Sequence, residues 1–221
     1  METFYNKMQR IEFDCIESTQ IFLSEGIRKG ELNPPVMIIA NQQSKGVGSR
    51  GNVWENVREG LYFSFALGIS SLPQDLPLES VSIYMGFLFK EVLRERGSKI
   101  WLKWPNDLYI EDKKVGGVLC AKLEKVILCG IGLNIEVVNQ DFGGLDIKIS
   151  KEEILESFVE KLENNEKKFS WKQIFSKYSL EFSNNFKYAF HYKGKLTSLD
   201  NALLCEDGSI LIEGEKIYSL R

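Results

Sequence analysis

The spacing of apolar and polar positions changes several times along the chain, and each change predicts an element. In IESTQIFLSEGIRKGEL, Ile21, Phe22 and Ile27 recur behind a Ser-Thr start. The pattern predicts a helix of about three turns that begins after Ser18 or Thr19 and buries those three residues. VMIIA follows as a short β-rich run, then a polar glycine loop, NQQSKGVGSRGN, then LYFSFALGI with bulky residues at strand spacing. Beyond a turn bracketed by Pro73 and Pro77, the residues Val81, Tyr84, Leu88 and Val92 form a helical stripe that Gly97 closes. Three β-type runs come next: SKIWLKW, NDLYIEDKKVGGVLCAKL and KVILCGIGLNI. The Asp112-Lys113 pair predicts a hairpin turn, so these strands are expected to be antiparallel neighbours.

Two capping-box patterns open the next helices, Ser150 with Glu153 and Ser170 with Gln173. After about residue 184 the helical period disappears. Short strands there are joined by turns at Asp200-Asn201, Asp207-Gly208 and Glu213-Gly214, which predicts a small barrel or meander.

Composition narrows the function classes. With 43% apolar residues in 221, the chain has the material for a sizeable core plus a small second unit. Lys+Arg at 28 against Asp+Glu at 31 gives no global attraction to nucleic acid or to an acidic membrane. The N-terminal METFYNKMQRIEFD scatters charges through any signal-peptide core, so a cytoplasmic location is expected. Cys15, Cys120, Cys129 and Cys205 lack C-x-x-C spacing and read as buried, reduced thiols. His191 is the sole histidine, which excludes a multi-His metal site and disfavours a histidine-centred triad. Acid–base work would fall to Asp, Glu or Lys.

GVGSRG, residues 46–51, has the glycine spacing of a dinucleotide-binding turn. That turn requires a helix after the last glycine and an acid at the end of the next strand. The chain instead runs through NVWENVREG into another strand, and GISSLPQ has no acid. No Gly-Lys-Ser/Thr follows, so a Walker A loop is also excluded. What remains is a glycine loop carrying Lys45 and Arg50, suited to wrapping an anion.

Residues 103–107 read KWPND and are followed by Lys114, Gly117 and the GLN of residues 132–134. With the glycine loop ending in Trp54, Glu17-Ser18-Thr19 near the start and Gln42-Gln43 before the loop, the sequence resembles the biotin protein ligases over roughly residues 12–135. Their motifs are a Gly-Arg-Gly-Arg-x-Gly-Arg-x-Trp loop, Lys-Trp-Pro-Asn-Asp, Lys-x-x-Gly and Gly-x-Asn, in that order. The resemblance implies an α+β fold of the kind shared with class II aminoacyl-tRNA synthetases and biotin/lipoate ligases. It consists of a mixed, mostly antiparallel sheet with packed helices, residues 1–184, and a small SH3-like β-barrel, residues 185–221. It also implies the monofunctional type of ligase, since the residues before Glu17 leave no room for a DNA-binding helix-turn-helix.

The implied activity is formation of biotinyl-5′-AMP from biotin and ATP with Mg²⁺, then transfer of biotin to a lysine of a biotin carboxyl carrier protein. Both steps gather negative charge around phosphorus and call for cations. By resemblance the catalytic candidates are Lys114, Arg50 and Asp107, with Asp107 either a Mg²⁺ ligand or the group that orients the acceptor amine. The biotin side would comprise Ser18, Thr19, Gln20 and Gln43, the loop residues Gly46, Val47, Gly48 and Ser49, and Lys114 with Gly117. Hydroxyls and amides suit a neutral ureido ring. The ATP side would comprise Arg50, Trp54, Asn106, Lys114 and Asn134, with Trp54 flanking the adenine. Val47, Ser49 and Asn52 stand where the family has arginines, which implies either a substitute role for Arg50 or readier release of the adenylate. A lipoate or octanoate ligase or transferase and a non-catalytic biotin sensor are the alternatives, and edge-strand pairing would allow a homodimer.

Overall fold

The central sheet begins with a strand that the apolar pattern did not predict. In the computed structural model, which describes residues 8–48, 53–54, 57–137, 142–163 and 169–219, β1 spans Gln9–Ile16. It lies at a sheet edge, where Ile11 and Phe13 are only half-buried, so its hydrophobic signal is weak. Helix α1 (Thr19–Lys29) leads to β2 (Val36–Gln43), which pairs with β1 in parallel. A two-stranded ribbon, β3 (Gly46–Val47) with β4 (Val53–Trp54), precedes β5 (Glu59–Gly68). After α2 (Val81–Arg94) come β6 (Trp101–Lys103), β7 (Asp107–Ile110), β8 (Lys113–Leu123) and β9 (Val126–Glu136). The seven long-range partners order as β1-β2-β5-β9-β8-β7-β6, and every pairing except β1 with β2 is antiparallel.

The α+β, mixed and mostly antiparallel reading therefore holds, with differences in detail. The β7–β8 hairpin turns at Glu111-Asp112, one residue earlier than expected, because Glu111 takes the left-handed conformation at φ 52° and Ile110 pairs with Lys113. Helix α1 starts where predicted, with Ser18 as its N-cap, but its buried face is Thr19, Leu23 and Gly26. Ile21 and Phe22 are 39% and 38% exposed, since the phase of the helix is set by the sheet beneath it, and Phe22 packs instead edge-on against Phe13.

Helix α2 buries more than the predicted stripe. Val81, Tyr84, Leu88 and Val92 are buried, but so are Ile83, Met85, Phe87 and Phe89, because α2 is enclosed between the sheet and the helices α3 (Lys151–Glu163) and α4 (Trp171–Glu181). Phe63, Phe65, Phe89 and Phe158 meet there with ring centroids 5.3–6.2 Å apart. Both capping boxes are formed: the Ser150 hydroxyl accepts from the Glu153 N–H, and Ser170 does the same for Gln173.

The tail forms two small sheets, β10 (Ala189–Tyr192) with β11 (Lys195–Ser198), and β12 (Leu203–Leu204) with β13 (Ile210–Ile212) and β14 (Glu215–Ile217). The three predicted turns carry left-handed residues, Asn201, Gly208, Glu213 and Gly214. Although these strands pair only with each other, Phe190, Leu199, Ala202, Ile210 and Ile217 join the main core. The 206–208 turn is the attachment. Its three successive carbonyls accept from Trp171 Nε1 at 2.8 Å, from the Ser80 hydroxyl, and from Trp104 Nε1 at 3.0 Å.

The four cysteines are free. Cys120 and Cys129 are buried opposite one another on β8 and β9, whereas Cys15 is exposed on the edge strand and Cys205 half-buried, so only the first pair matches the buried-thiol expectation. Among the described residues no helix is long and apolar enough to cross a membrane.

Candidate active site

A cleft opens over the middle of the sheet between α1, the β3–β4 ribbon and the β7–β8 hairpin. Its floor is polar because α1 points its first turn inward. Ser18 and Thr19 are 1% and 3% exposed. The Thr19 N–H and hydroxyl donate to Gln43 Oε1 at 2.8 and 3.1 Å, and the Thr19 hydroxyl lies 2.8 Å from that of Ser64. Gln20 Oε1 is buried with no hydrogen-bond partner among the described residues, an acceptor that a ligand N–H would satisfy.

Ser64 was not among the predicted site residues. Its only sequence signal is that it is the one small polar side chain inside the bulky run LYFSFAL, and the structure buries it fully. A small polar residue in a strand buried on both faces needs a partner, and here the partner is Thr19.

Val47 and Gly48 line the same cavity from the ribbon. Gly46 does not border it; a Cβ there would sit 2.6 Å from the Trp54 carbonyl, so its glycine serves the close approach of β4. Ser49, Arg50 and Asn52 lie outside the described residues. Lys45 is paired at the surface with Glu17 at 2.8 Å, so this loop cation is spent on the start of α1.

On the opposite wall, Asn106 donates from Nδ2 to the Val118 carbonyl at 2.7 Å and accepts the Val118 N–H on its own carbonyl at 2.8 Å. Asp107 begins β7, opposite Gly117. Its Oδ1 lies 2.6 Å from Lys114 Nζ and its Oδ2 3.7 Å from Lys103 Nζ. Burial, the Asp107 charge and the neighbouring Tyr188 together push the Tyr109 phenol well above its ordinary value, so it stays neutral beside the carboxylate. Behind this wall Trp104 is fully buried, its backbone N–H donating to Asn185 Oδ1 at 2.7 Å.

Trp54 lies across the cleft. A Cβ on Gly132 would come 2.7 Å from its ring and one on Gly117 3.3 Å, so these two glycines form the shelf on which the indole rests. Among the described residues its buried Nε1 has no hydrogen-bond partner. On its far side is a second cavity, lined by Val53, Trp54, Val57, Lys114, Asn134 and Phe142. Asn134 donates to the Gly143 carbonyl at 3.3 Å, while its buried Oδ1 has no partner among the described residues. Lys114 borders both cavities, with its ammonium 5.5 Å from the Trp54 ring centre.

Of the predicted residues, Ser18, Thr19, Gln20, Gln43, Val47, Gly48, Asn106, Asp107 and Gly117 line the first cavity, Asn134 lines the second, and Trp54 and Lys114 border both. Among the described residues no group of three or more His, Cys, Asp or Glu could hold a metal ion.

Residues 12–138 match the profile of the biotin/lipoate A/B protein ligase family. The chain belongs to that family. Its curated relatives include biotin–protein ligase 2 of Arabidopsis thaliana, 31% identical over 57% of this chain and 44% of that protein. The bifunctional ligase/repressor BirA of Escherichia coli (strain K12) is 34% identical over 57% of this chain and 42% of its own length. The chain therefore spans less than half the length of these relatives. Among solved structures, the biotin acetyl coenzyme A carboxylase synthetase of Helicobacter pylori, with bound biotinylated ATP, superposes with a TM-score of 0.90 at 45% identity, covering 96% of this chain and 99% of that one. The biotin protein ligase of Aquifex aeolicus, in complex with biotin and ATP, gives 0.74 at 27% identity, covering 96% of each chain.

Proposed function

We propose that the protein is an ATP-dependent biotin–protein ligase that makes biotinyl-5′-AMP and transfers the biotinyl group to a lysine of a biotin carboxyl carrier protein. The observation that carries this reading is the position of Lys114 at the junction of two cavities of different chemistry. One has a floor of buried hydroxyls and amides, matched to a ureido ring; the other offers an indole face and an asparagine with a spare acceptor, matched to a purine.

At the junction a biotin carboxylate oxygen would attack the α-phosphorus of ATP, and pyrophosphate would leave. A cation on a mobile stem stabilises the negative charge that moves between carboxylate and phosphate. The acceptor amine would then attack the acyl carbon and AMP would leave. Both Asp107 oxygens face ammonium groups, which does not fit a Mg²⁺ ligand. We therefore read Mg²⁺ as part of the substrate, carried on the ATP phosphates, and Asp107 as the group that orients the amine. The buried polar floor favours biotin over an aliphatic lipoyl or octanoyl chain, which has no N–H there to offer the Gln20 Oε1 acceptor.

Lys45 borders neither cavity, so adenylate retention falls in this reading to Arg50. An Arg50→Ala variant that keeps the wild-type rate of adenylate release would overturn that role. The strands beyond β9 pair only among themselves, which supports treating residues 185–221 as a second, SH3-like unit attached to residues 1–184. Free cysteines agree with a reducing, cytoplasmic setting. The terminal position of β1 in the sheet agrees with homodimer formation by edge pairing, which sedimentation would test. The whole reading is tested by incubating the protein with biotin, MgATP and a carrier domain and measuring the mass of the carrier. Biotin binding without turnover would select a sensor instead.

A further inference from the structure

Two lysines hold Asp107, and they differ in everything but charge. The Lys114 side chain is 33% exposed and borders both cavities. That of Lys103 is 7% exposed and borders neither. The Lys103 ammonium lies 5.4 Å from the Tyr109 ring centre and 5.7 Å from that of Tyr188, 3.7 Å from Asp107 Oδ2. A buried ammonium between two aromatic faces and a carboxylate is confined, whereas one at a cavity junction is free to exchange partners.

We propose that Lys103 is a positioning residue, the fixed counter-charge that holds the Asp107 carboxylate in place while Lys114 leaves it for the anionic ligand. The inference rests on the ligase reading, in which Lys114 serves adenylate formation and Asp107 serves the incoming amine. In the transfer step the amine nitrogen bonds to the acyl carbon, the acyl C–O bond to AMP breaks with its electron pair going to AMP, and the surplus amine proton passes by way of Asp107 to water. Asp107 meets the amine only after Lys114 has released Oδ1. Without Lys103 two things go wrong. Lys114 becomes the main counter-charge facing Asp107 and is held to it, and once it departs a largely buried carboxylate faces the cleft uncompensated. The first penalty is felt in both half-reactions, and the second adds to it in transfer alone, where Asp107 meets the amine.

The test separates the half-reactions in the intact protein. Pyrophosphate release with biotin and MgATP reads the first, and single-turnover transfer from bound biotinyl-5′-AMP to the carrier domain reads the second. Lys103→Met is expected to slow transfer about tenfold or more at an almost unchanged KM for carrier, and adenylate formation by less than about threefold. In an Asp107→Asn background the same substitution should cost transfer less than about twofold further. Equal losses in both half-reactions, no loss in either, or losses that multiply with Asp107→Asn would overturn the proposal. Should Lys103→Met fail to fold, Tyr188→Leu removes one ring from the Lys103 shelf outside both cavities. It should slow transfer about threefold more than adenylate formation, and unaltered transfer would again overturn the idea. A wild-type protein that forms no biotinyl-5′-AMP would instead overturn the ligase reading itself.

Discussion

The wall of the cleft that carries Asn106, Asp107 and Lys114 and the wall made by the glycine loop hold their chemistry in different ways. On the first, each polar group is tied to a neighbouring strand: Asn106 to Val118, and Asp107 to Lys114 and Lys103. Trp104 beneath them is anchored by the tail through Gly208 and Asn185. On the second, Lys45 is engaged at the surface with Glu17, Val47 is 37% exposed, and the Trp54 Nε1 has no partner among the described residues. One wall is organised by the core, and the other keeps groups that only a ligand would satisfy. A positioned wall limits reorganisation during reaction, and an unsatisfied donor leaves a place for ligand polar groups.

Substitutions at the two walls should therefore separate chemistry, stability and nucleotide affinity. Lys114→Ala is expected to lower adenylate formation by about a thousandfold or more with little change in Tm, because it removes the cation at the reacting centre from a partly exposed site. Near-normal pyrophosphate release would take Lys114 out of the mechanism and erase the distinction. Trp104→Ala touches no ligand yet should cost about 3–5 kcal/mol of stability in chemical denaturation, since it empties a fully buried site and takes the indole donor from the Gly208 carbonyl. A loss under about 1 kcal/mol would mean that the core does not organise this wall.

Trp54→Ala should do the reverse. ATP affinity, measured by titration, is expected to fall by about 1–3 kcal/mol while the unfolding midpoint barely moves. If stability falls instead, the loop wall is core-organised too. The smallest effect gives the baseline away from both walls. The Ser150 N–H and hydroxyl hold the Glu153 carboxyl below its ordinary value of 4.5, so its contribution is present above that pH and is lost as pH falls through the lowered value. Glu153→Gln should flatten the acid side of the stability profile slightly and leave both half-reactions unchanged.

Much of the site was legible because its residues cluster in short runs whose local chemistry is distinctive. Asn106, Asp107, Lys114 and Gly117, picked out by resemblance, line one cavity with the Ser-Thr start of α1, which was read from its capping pattern. Ser64 was not legible in the same way. Nothing near it in sequence says that the first turn of α1, 45 positions earlier, will present Thr19 to it. The α1 face was misjudged for a related reason, since TQIFLSEGIRK has apolar residues on more than one side and the sheet selects among them. Strand β1 escaped notice because an edge strand buries too little to show a clear period.

From the sequence alone came the element types, the capped helix starts, the left-handed turns and the family motifs, all of which depend on residues within a few positions of one another. Tertiary structure decided which face each element buries, how Lys114 comes to border two cavities, and how a turn at Gly208 reaches back to Trp104. It also decided that Lys103 meets Asp107 under the ring of Tyr188. These contacts join residues up to 104 positions apart, where propensity carries no information and only packing and hydrogen-bond satisfaction select the partner.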